Sequence, residues 1–333
     1  MEKLIFSVLV FLFSVSVTAL EVEFIKSFTF PAPLKINKTE VGGLSALYYD
    51  ANEELFFAGS DDRGRKGDPR FYKLKMEKDY QFKVVEEIKI ADLKKRGHDS
   101  KVLDLEAMTM LPWGNFLFSS EGDLNQIPRL MPELIEVKVS GEYMRTYDLS
   151  PEFYPEKIGK QTKGLQNNAA IEGMCMLDSF NILTATEAAL FADKNPESIM
   201  TLMNLSEAWN IKPTIQFRYP LNPENGIASG LSEVLCLSEN QILTLERGVS
   251  LEKSGMKYNV LLYKVDLDRK EAGKIKVGEK KLIYDFKTHS QAENFEGMTL
   301  GPLIDGKFKS LFVISDNNFK KSEKTQILVF KIK

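Results

Sequence analysis

The feature that most constrains this chain is an internal repeat of about 63 residues. Each unit reads as a polar anchor, a short apolar strand, a turn, a second apolar strand and an acidic residue. The anchors are Ser45, Glu106, Glu172, Ser232 and Glu296. Successive anchors are 61, 66, 60 and 64 residues apart, and a period of this length is typical of repeat folds such as propellers.

Each unit continues with a third apolar strand, and four units also have a fourth. The fifth unit stops after its third strand at Lys333, and residues 21–30 precede the first anchor by the distance that separates the other fourth strands from theirs. We therefore predict an all-β fold, a β-propeller of four-stranded blades whose last blade is closed by the N-terminal strand. The spacing favours five blades, with six as the alternative if the connection 145–168 contains further strands.

The N-terminus predicts export. Lys3 precedes an apolar run over residues 4–17, and Val17 and Ala19 place small residues at the −3 and −1 positions of a cleavage site. A membrane anchor is the alternative, but it needs about 20 continuous apolar residues. We expect a signal peptide over residues 1–19 and a single propeller domain over residues 20–333. The product would be periplasmic or secreted, without membrane insertion after cleavage.

The two cysteines, Cys175 and Cys236, each lie within an apolar segment. An oxidising compartment permits a disulfide between them. Buried free Cys is nevertheless common in protein cores, where it packs as a small apolar residue. We therefore expect two buried free thiols rather than a disulfide.

Composition excludes several classes of function. Lys and Arg total 44 against 47 Asp and Glu, so the net charge of −3 gives no reason to expect nucleic-acid binding. With two histidines in the whole chain, a three-His zinc site cannot form. A metal site would be built from oxygen ligands, which hard cations such as Ca²⁺ prefer.

The repeat also predicts where the acids lie. In an antiparallel hairpin the start of the first strand lies beside the end of the second, so anchors and closing acids should surround one mouth of the channel. The closing acids are Asp61 or Asp62, Glu121, Glu187, Glu246 and Asp316. So many carboxylates repel one another unless cations compensate, and we expect these acids to ligate a divalent cation, Ca²⁺ in the first place.

Three arginines near the repeated acids, Arg63, Arg129 and Arg247, are candidates for binding an anionic group of a substrate. The alternative is structural: repeated Glu-Gly-Met triplets could serve blade packing, and arginines beside acids could be ordinary ion-pair partners. For any single Glu the two interpretations are equally well supported. The number of acids predicted at one mouth favours a functional site.

Several short motifs together resemble the phytase-like family described as having "esterase-like activity of phytase". They are Asp61-Asp62-Arg63, Asp104-Leu105-Glu106-Ala107-Met108, Glu121-Gly122, Pro128-Arg129, Ile171-Glu172-Gly173-Met174, Glu246-Arg247 and Phe295-Glu296-Gly297-Met298. The resemblance implies an exported propeller-like protein with phosphoester-hydrolysing or esterase activity. Ser45 and Ser232 depart from the acidic pattern at the anchor positions, so the blades do not all contribute an equivalent carboxylate.

Two functions follow from these observations. The first is a phosphoester hydrolase that acts on a small anionic or phosphorylated substrate as a monomer, with a carboxylate-bound divalent cation. In it Glu106, Glu172 and Glu296 serve as ligands or general bases, and Arg63, Arg129 and Arg247 bind the phosphate. The second is a non-catalytic propeller that binds a ligand or a protein at the acidic mouth, because a propeller fold alone does not confer activity.

Overall fold

The computed structural model describes residues 20–96, 102–206, 210–252, 255–288 and 293–333. The expected signal peptide, residues 1–19, lies outside the described residues. Within the described part, short 3-10 helices occupy Lys78–Tyr80, Leu93–Arg96, Pro151–Phe153 and Phe286–Thr288. No helix in these ranges is long and apolar enough to cross a membrane.

Almost all regular structure is β-strand. The N-terminal strand and a short hairpin come first: β1 (Val22–Thr29), β2 (Lys35–Ile36) and β3 (Thr39–Glu40). Blade 1 follows, with β4 (Leu44–Asp50), β5 (Leu55–Ser60), β6 (Arg70–Met76) and β7 (Phe82–Lys89). Blade 2 has β8 (Leu105–Met110), β9 (Asn115–Ser120), β10 (Glu133–Lys138) and β11 (Tyr143–Tyr147).

The remaining three blades have the same plan. Blade 3 has β12 (Ile171–Asp178), β13 (Asn181–Thr186), β14 (Glu197–Ser206) and β15 (Asn210–Pro220). Blade 4 has β16 (Ala228–Ser238), β17 (Gln241–Glu252), β18 (Gly255–Asp268) and β19 (Lys276–Asp285). Blade 5 has β20 (Asn294–Ile304), β21 (Phe308–Asp316) and β22 (Gln326–Ile332) together with β1.

The five sheets form a closed ring. The first strands of the blades contact one another in the order β4, β8, β12, β16 and β20, and β20 contacts β4 again, so these five strands surround the axis. The structure thus confirms the five-bladed propeller. The six-bladed alternative is wrong, because residues 148–168 contain one 3-10 helix and no blade strand.

The last blade is closed as the repeat predicted. Strand β1 pairs antiparallel with β22 from Val22 opposite Ile332 to Thr29 opposite Gln326. The outer edge of blade 5 therefore comes from the opposite end of the chain to its other three strands, which covers the backbone groups of β22.

The apolar core lies between the blades. Five clusters of buried side chains fill the five interfaces between neighbouring sheets. Both faces of each blade are therefore buried, which explains why the strands read as nearly continuous apolar runs instead of strict alternation.

Each innermost strand has a β-bulge at its anchor. In blade 3, Ile171 pairs with Thr186 and Gly173 pairs with Ala185, so Glu172 is one extra residue without a partner opposite. A register shift of one residue also occurs at the anchors Ser45, Ser232 and Glu296. In blade 2 the shift spans Glu106 and Ala107 together. Bulges redirect side chains, and they often occur beside functional sites.

The expectation of free thiols is wrong. Cys175 on β12 and Cys236 on β16 form a disulfide with a Cα–Cα distance of 5.7 Å, joining the innermost strands of blades 3 and 4. Both cysteines do lie in apolar surroundings, but the ring brings the two strands side by side, which the local sequence does not show.

Candidate functional site

A cavity of about 790 Å³ opens at one mouth of the channel. Its acidic lining residues are Asp61, Asp62, Glu106, Glu172, Glu187, Glu296 and Asp316. Its basic lining residues are Arg63, Arg65, Lys66, Arg247 and Lys320. Nine of the twelve residues expected from the sequence therefore lie at this cavity, and a tenth, Glu121, is buried directly beside Glu106 and Glu172.

Strand register shows which residue closes each blade at the mouth. In each blade, the residue before the anchor pairs with a residue of the second strand. In four blades that partner is Ser or Thr: Ser60, Ser120, Thr186 and Ser315. The next residue is the one that reaches the mouth, and it is Asp61, Glu121, Glu187 or Asp316 in those blades. In blade 4 Leu231 pairs with Glu246 itself, so Arg247 occupies the position that is acidic elsewhere.

Glu246 consequently lies outside the cavity. Its carboxylate accepts hydrogen bonds from the Tyr219 hydroxyl at 2.7 Å and the Asn222 backbone N–H at 2.9 Å, and it pairs with Lys280. It is a fully buried link between the outer strands of blades 3 and 4. The repeat pattern placed Glu246 with the closing acids, but the closing position of blade 4 is the next residue. Because strand side chains alternate in direction, a shift of one residue turns the side chain to the other face of the strand.

Two further predicted residues, Arg129 and Asp62, contact partners that do not line the cavity. Arg129 does not line the cavity; its guanidinium donates to the carbonyl oxygens of Glu156 at 2.6 Å and Gly159 at 2.8 Å. Asp62 lines the cavity, but it also forms an ion pair with the fully buried Arg70. These two side chains thus help to hold loops in place.

Arg63 forms one charged group at the mouth. Its Nη2 pairs with Asp104, lies 3.6 Å from Glu121 Oε2, and donates to Asn168 Oδ1 at 2.6 Å. Asp104 is fully buried at the bottom of this group. Arg63 therefore joins the mouths of blades 1 and 2.

Arg247 forms a second charged group across the mouth. It lies 2.8 Å from Glu187 and pairs with Glu296, and it donates to Asn294 Oδ1 at 2.6 Å. Glu296 also accepts from the Ser45 hydroxyl at 2.9 Å and from the Asn294 amide at 2.9 Å. Glu296 is thus saturated with donors and fixes the position of Arg247.

Glu106 and Glu172 lie between the two arginines, at the anchors of blades 2 and 3. Burial raises the pKa of the Glu106 carboxyl well above its usual range, and the neighbouring Glu172 and Asp104 raise it further. Burial likewise raises the pKa of Glu172, with added repulsion from Glu187 and Glu121. Glu172 is 3% exposed, and its Oε2 has no hydrogen-bond partner among the described residues.

The flanking acids experience the same field. Burial raises the pKa of Asp61 to about 8, with repulsion from Glu296 and Asp104 adding to the effect. Burial raises the pKa of Asp316 well above its usual range, and Asp61 and Glu296 contribute. Carboxyl groups crowded in this way favour either protons or cations as counter-charges.

The oxygens are close enough to share an ion. Ligand oxygens of Asp61, Asp104 and Glu106 lie within 4.8 Å of one another, and so do those of Glu106, Glu121 and Glu172. All five donors are carboxylates, and hard divalent cations such as Ca²⁺ prefer such ligands. Buried oxygens without donors, as at Glu172, further suit a cation. The residues present therefore fit a divalent cation.

Several site residues were missed from the sequence, and two of them occupy the same place in the repeat. Asp104 and Asn294 each lie two residues before an anchor, where the other blades have Gly43, Ala170 and Gly230. Asn294 lines the cavity, whereas Asp104 is fully buried beside it and pairs with Arg63. The two polar exceptions at that repeat position were the signal.

Fold and site together define a class, a five-bladed propeller whose acidic mouth also contains arginine and lysine side chains. The sequence matches the family described as "Phytase-like: Esterase-like activity of phytase" over residues 39–319, and the chain belongs to this family. Among curated proteins, none matches the sequence.

Several solved structures are similar in fold at low sequence identity. A mannose phosphorylase from Leishmania mexicana in complex with phosphate ion has a TM-score of 0.49 at 9% identity, over 89% of this chain and 85% of that one. An endo-arabinase from Bacteroides thetaiotaomicron has a TM-score of 0.47 at 8% identity, over 88% and 95%. A periplasmic gluconolactonase from Pseudomonas aeruginosa has a TM-score of 0.38 at 8% identity, over 88% and 89%. Similarity at this level has no bearing on the chemistry of this chain.

Proposed function

We propose that this protein is an exported hydrolase of small phosphoesters that works with a divalent cation, Ca²⁺ in the first place, at the acidic mouth. The observation that carries the proposal is the pair of central carboxylates, Glu106 and Glu172, which are buried between Arg63 and Arg247. The Oε2 atom of Glu172 lacks a hydrogen-bond donor among the described residues. The family description, which names an esterase-like activity, supports the same reaction class.

Asp61, Asp104, Glu106, Glu121 and Glu172 would hold the cation. When bound, a divalent cation supplies Lewis-acid polarisation of a phosphoryl oxygen. The five residues that would hold it are all carboxylates, and the burial of Asp104, Glu106, Glu121 and Glu172 excludes most of the competing water.

Arg63 and Arg247 would bind the phosphate. A guanidinium carries five N–H donors in a fixed plane, so it can bind an anionic oxygen beside a carboxylate partner. Glu187 and Glu296 hold Arg247 from two sides and limit its movement, while Asp104 does the same for Arg63. Because both guanidinium groups are held in place before the substrate arrives, less conformational entropy is lost when it binds.

Export is supported by the disulfide between Cys175 and Cys236, because such bonds persist in oxidising compartments. The expected N-terminal signal peptide is the second reason. Expression of a tagged copy of the protein, followed by cell fractionation to locate it, tests this part of the proposal.

The test of the reaction is turnover by the purified protein, with Ca²⁺ and then other divalent ions, on aryl phosphates, phytate and aryl carboxylic esters. We expect phosphoester hydrolysis that EDTA abolishes and that Glu106→Gln lowers on the order of 100-fold or more. The matched control is Glu136→Gln, a buried carboxylate on β10 that bonds Trp113 and Tyr147 outside the cavity.

The result that contradicts the proposal is an absence of turnover on all phosphoesters with every ion tried. If Ca²⁺ still raises the melting temperature in that case, the mouth binds ions without catalysis. The protein is then the non-catalytic binding propeller, which was the second function.

A further inference from the structure

We propose that the mouth holds two divalent cations, with the Glu106 carboxylate as the ligand that both ions share. The inference rests on the proposed cation-dependent function and states how many ions bind and through which side chains. The first ion would take Asp61, Asp104 and Glu106, and the second would take Glu106, Glu121 and Glu172.

Distances support two positions. Two oxygens on one Ca²⁺ can be separated by at most about 5 Å, twice a bond of 2.3–2.6 Å. The three oxygens of each set lie within 4.8 Å of one another, so each set meets this limit. The two sets have Glu106 in common, and their other residues differ.

Each position also has a buried oxygen without a hydrogen-bond donor among the described residues. In the first set this oxygen is Asp104 Oδ1, and in the second set these oxygens are Glu172 Oε2 and Glu121 Oε2. Glu121 uses its other oxygen, Oε1, to accept from the Ala170 N–H at 2.5 Å, which fixes the direction of Oε2. A buried carboxylate oxygen without a donor is costly, and a bound cation would remove that cost.

Charge also favours cations at these positions. The two sets comprise five carboxylates, and Arg63 contacts them through Asp104 in the first set and Glu121 in the second. Arg65 lies close enough to Asp104 to act on it electrostatically. The carboxylates of the two sets therefore outnumber these guanidinium groups, which leaves negative charge for bound cations to compensate.

The experiment is calorimetric titration of the EDTA-treated protein with Ca²⁺ alone. We expect two ions per chain. Asp61→Asn and Glu172→Gln should each leave one ion, because each removes a ligand from one set only. Glu106→Gln should weaken both binding events by at least 10-fold, and Glu136→Gln should leave two. Melting curves of each variant check that it is folded, and the wild-type stoichiometry decides the matter if a variant is not.

The outcomes separate this inference from the proposed function. One ion per chain, with cation-dependent turnover intact, overturns the two-ion centre and leaves the hydrolase. Two ions with the expected variant pattern but no turnover support the centre and overturn the hydrolase. If no ion binds, both are overturned. Loss of only one ion in Glu106→Gln shows that this carboxylate is not shared, which also overturns the inference.

Discussion

Asp61 lies where the charges of three blades meet, next to Glu296 of blade 5 and Asp104 of blade 2. Burial and these two neighbours raise its pKa from 3.8 to about 8. Without a bound cation, most molecules at pH 7 therefore carry a proton on this carboxyl. That proton relieves part of the repulsion that the ring of acids would otherwise create.

This leads to a pH dependence of stability. A carboxyl whose pKa is higher in the folded than in the unfolded chain binds more protons when folded, so its contribution is complete below about pH 4 and is lost as the pH rises through about 8. In EDTA, we expect the melting temperature to fall between pH 6 and pH 8.5. Asp61→Asn should flatten this slope, because an amide does not titrate. A melting temperature that rises across the same range would contradict the assignment.

For single residues, the sequence predicted which residue types belong to the site better than it predicted which side chains face the channel. The repeat identified the acids of blades 1, 2, 3 and 5, because each follows an apolar strand at the same place. In blade 4 the second strand contains Glu246-Arg247 at this place. The acid was predicted from the sequence as the closing residue, whereas the arginine lies at the mouth. Only the pairing of Leu231 with Glu246 shows which of the two side chains faces the channel.

Among the elements, the innermost strands are packed most closely. A Cβ at Gly297 of β20 would lie 2.7 Å from the Ser45 carbonyl oxygen and 2.9 Å from the Leu47 nitrogen on β4. A Cβ at Gly173 of β12 would lie 2.7 Å from the Val234 nitrogen on β16. The glycine of each Glu-Gly-Met triplet therefore lets neighbouring inner strands approach each other.

Gly297→Ala should accordingly destabilise the fold. The added methyl group meets backbone atoms that cannot rotate away, and overpacking of this kind costs about 1–3 kcal/mol. Gly67→Ala is the comparison, because its methyl would contact side-chain atoms of Thr39 at 3.2 Å and Arg70 at 3.4 Å. Urea unfolding of both variants measures the difference. Equal free energies of unfolding would show that the inner strands adjust.

Strands and blades were predictable from the sequence, and the bulges were not. Apolar runs separated by turns recur at a fixed period, so strand number and blade number follow from counting. A bulge depends on which residue of the neighbouring strand pairs with which, and nothing in a local stretch such as Ile171-Glu172-Gly173 states its partner. The structural interpretation of the Glu-Gly-Met triplets therefore holds for the glycine, which serves blade packing. It does not hold for the glutamate, which lines the cavity.

In the whole molecule, the disulfide between Cys175 and Cys236 joins two blades that are otherwise held by packing. Their separation of 61 residues equals about one repeat, so the two cysteines occupy similar places in adjacent blades. That separation was the signal for pairing. The interpretation as free thiols considered each apolar segment alone and did not consider the ring.

Replacing both cysteines should lower stability. Cys175→Ala with Cys236→Ala removes a crosslink that restricts the unfolded chain, and a loss of about 2–4 kcal/mol is typical. Guanidinium unfolding under non-reducing conditions measures it. A reducing agent should destabilise the wild type and leave the double variant unchanged. If the reducing agent affects both proteins equally, the disulfide is not the cause.

The five bulged anchors also bear on how such a mouth can change over time. Each anchor lies in a bulge around which the two strands stay paired, so its side chain can be replaced while the ladder on both sides stays the same. The chain has Ser, Glu, Glu, Ser and Glu at these five places on one backbone plan. Ligand preference at the mouth can thus diverge by single substitutions, one blade at a time, without a new fold having to arise.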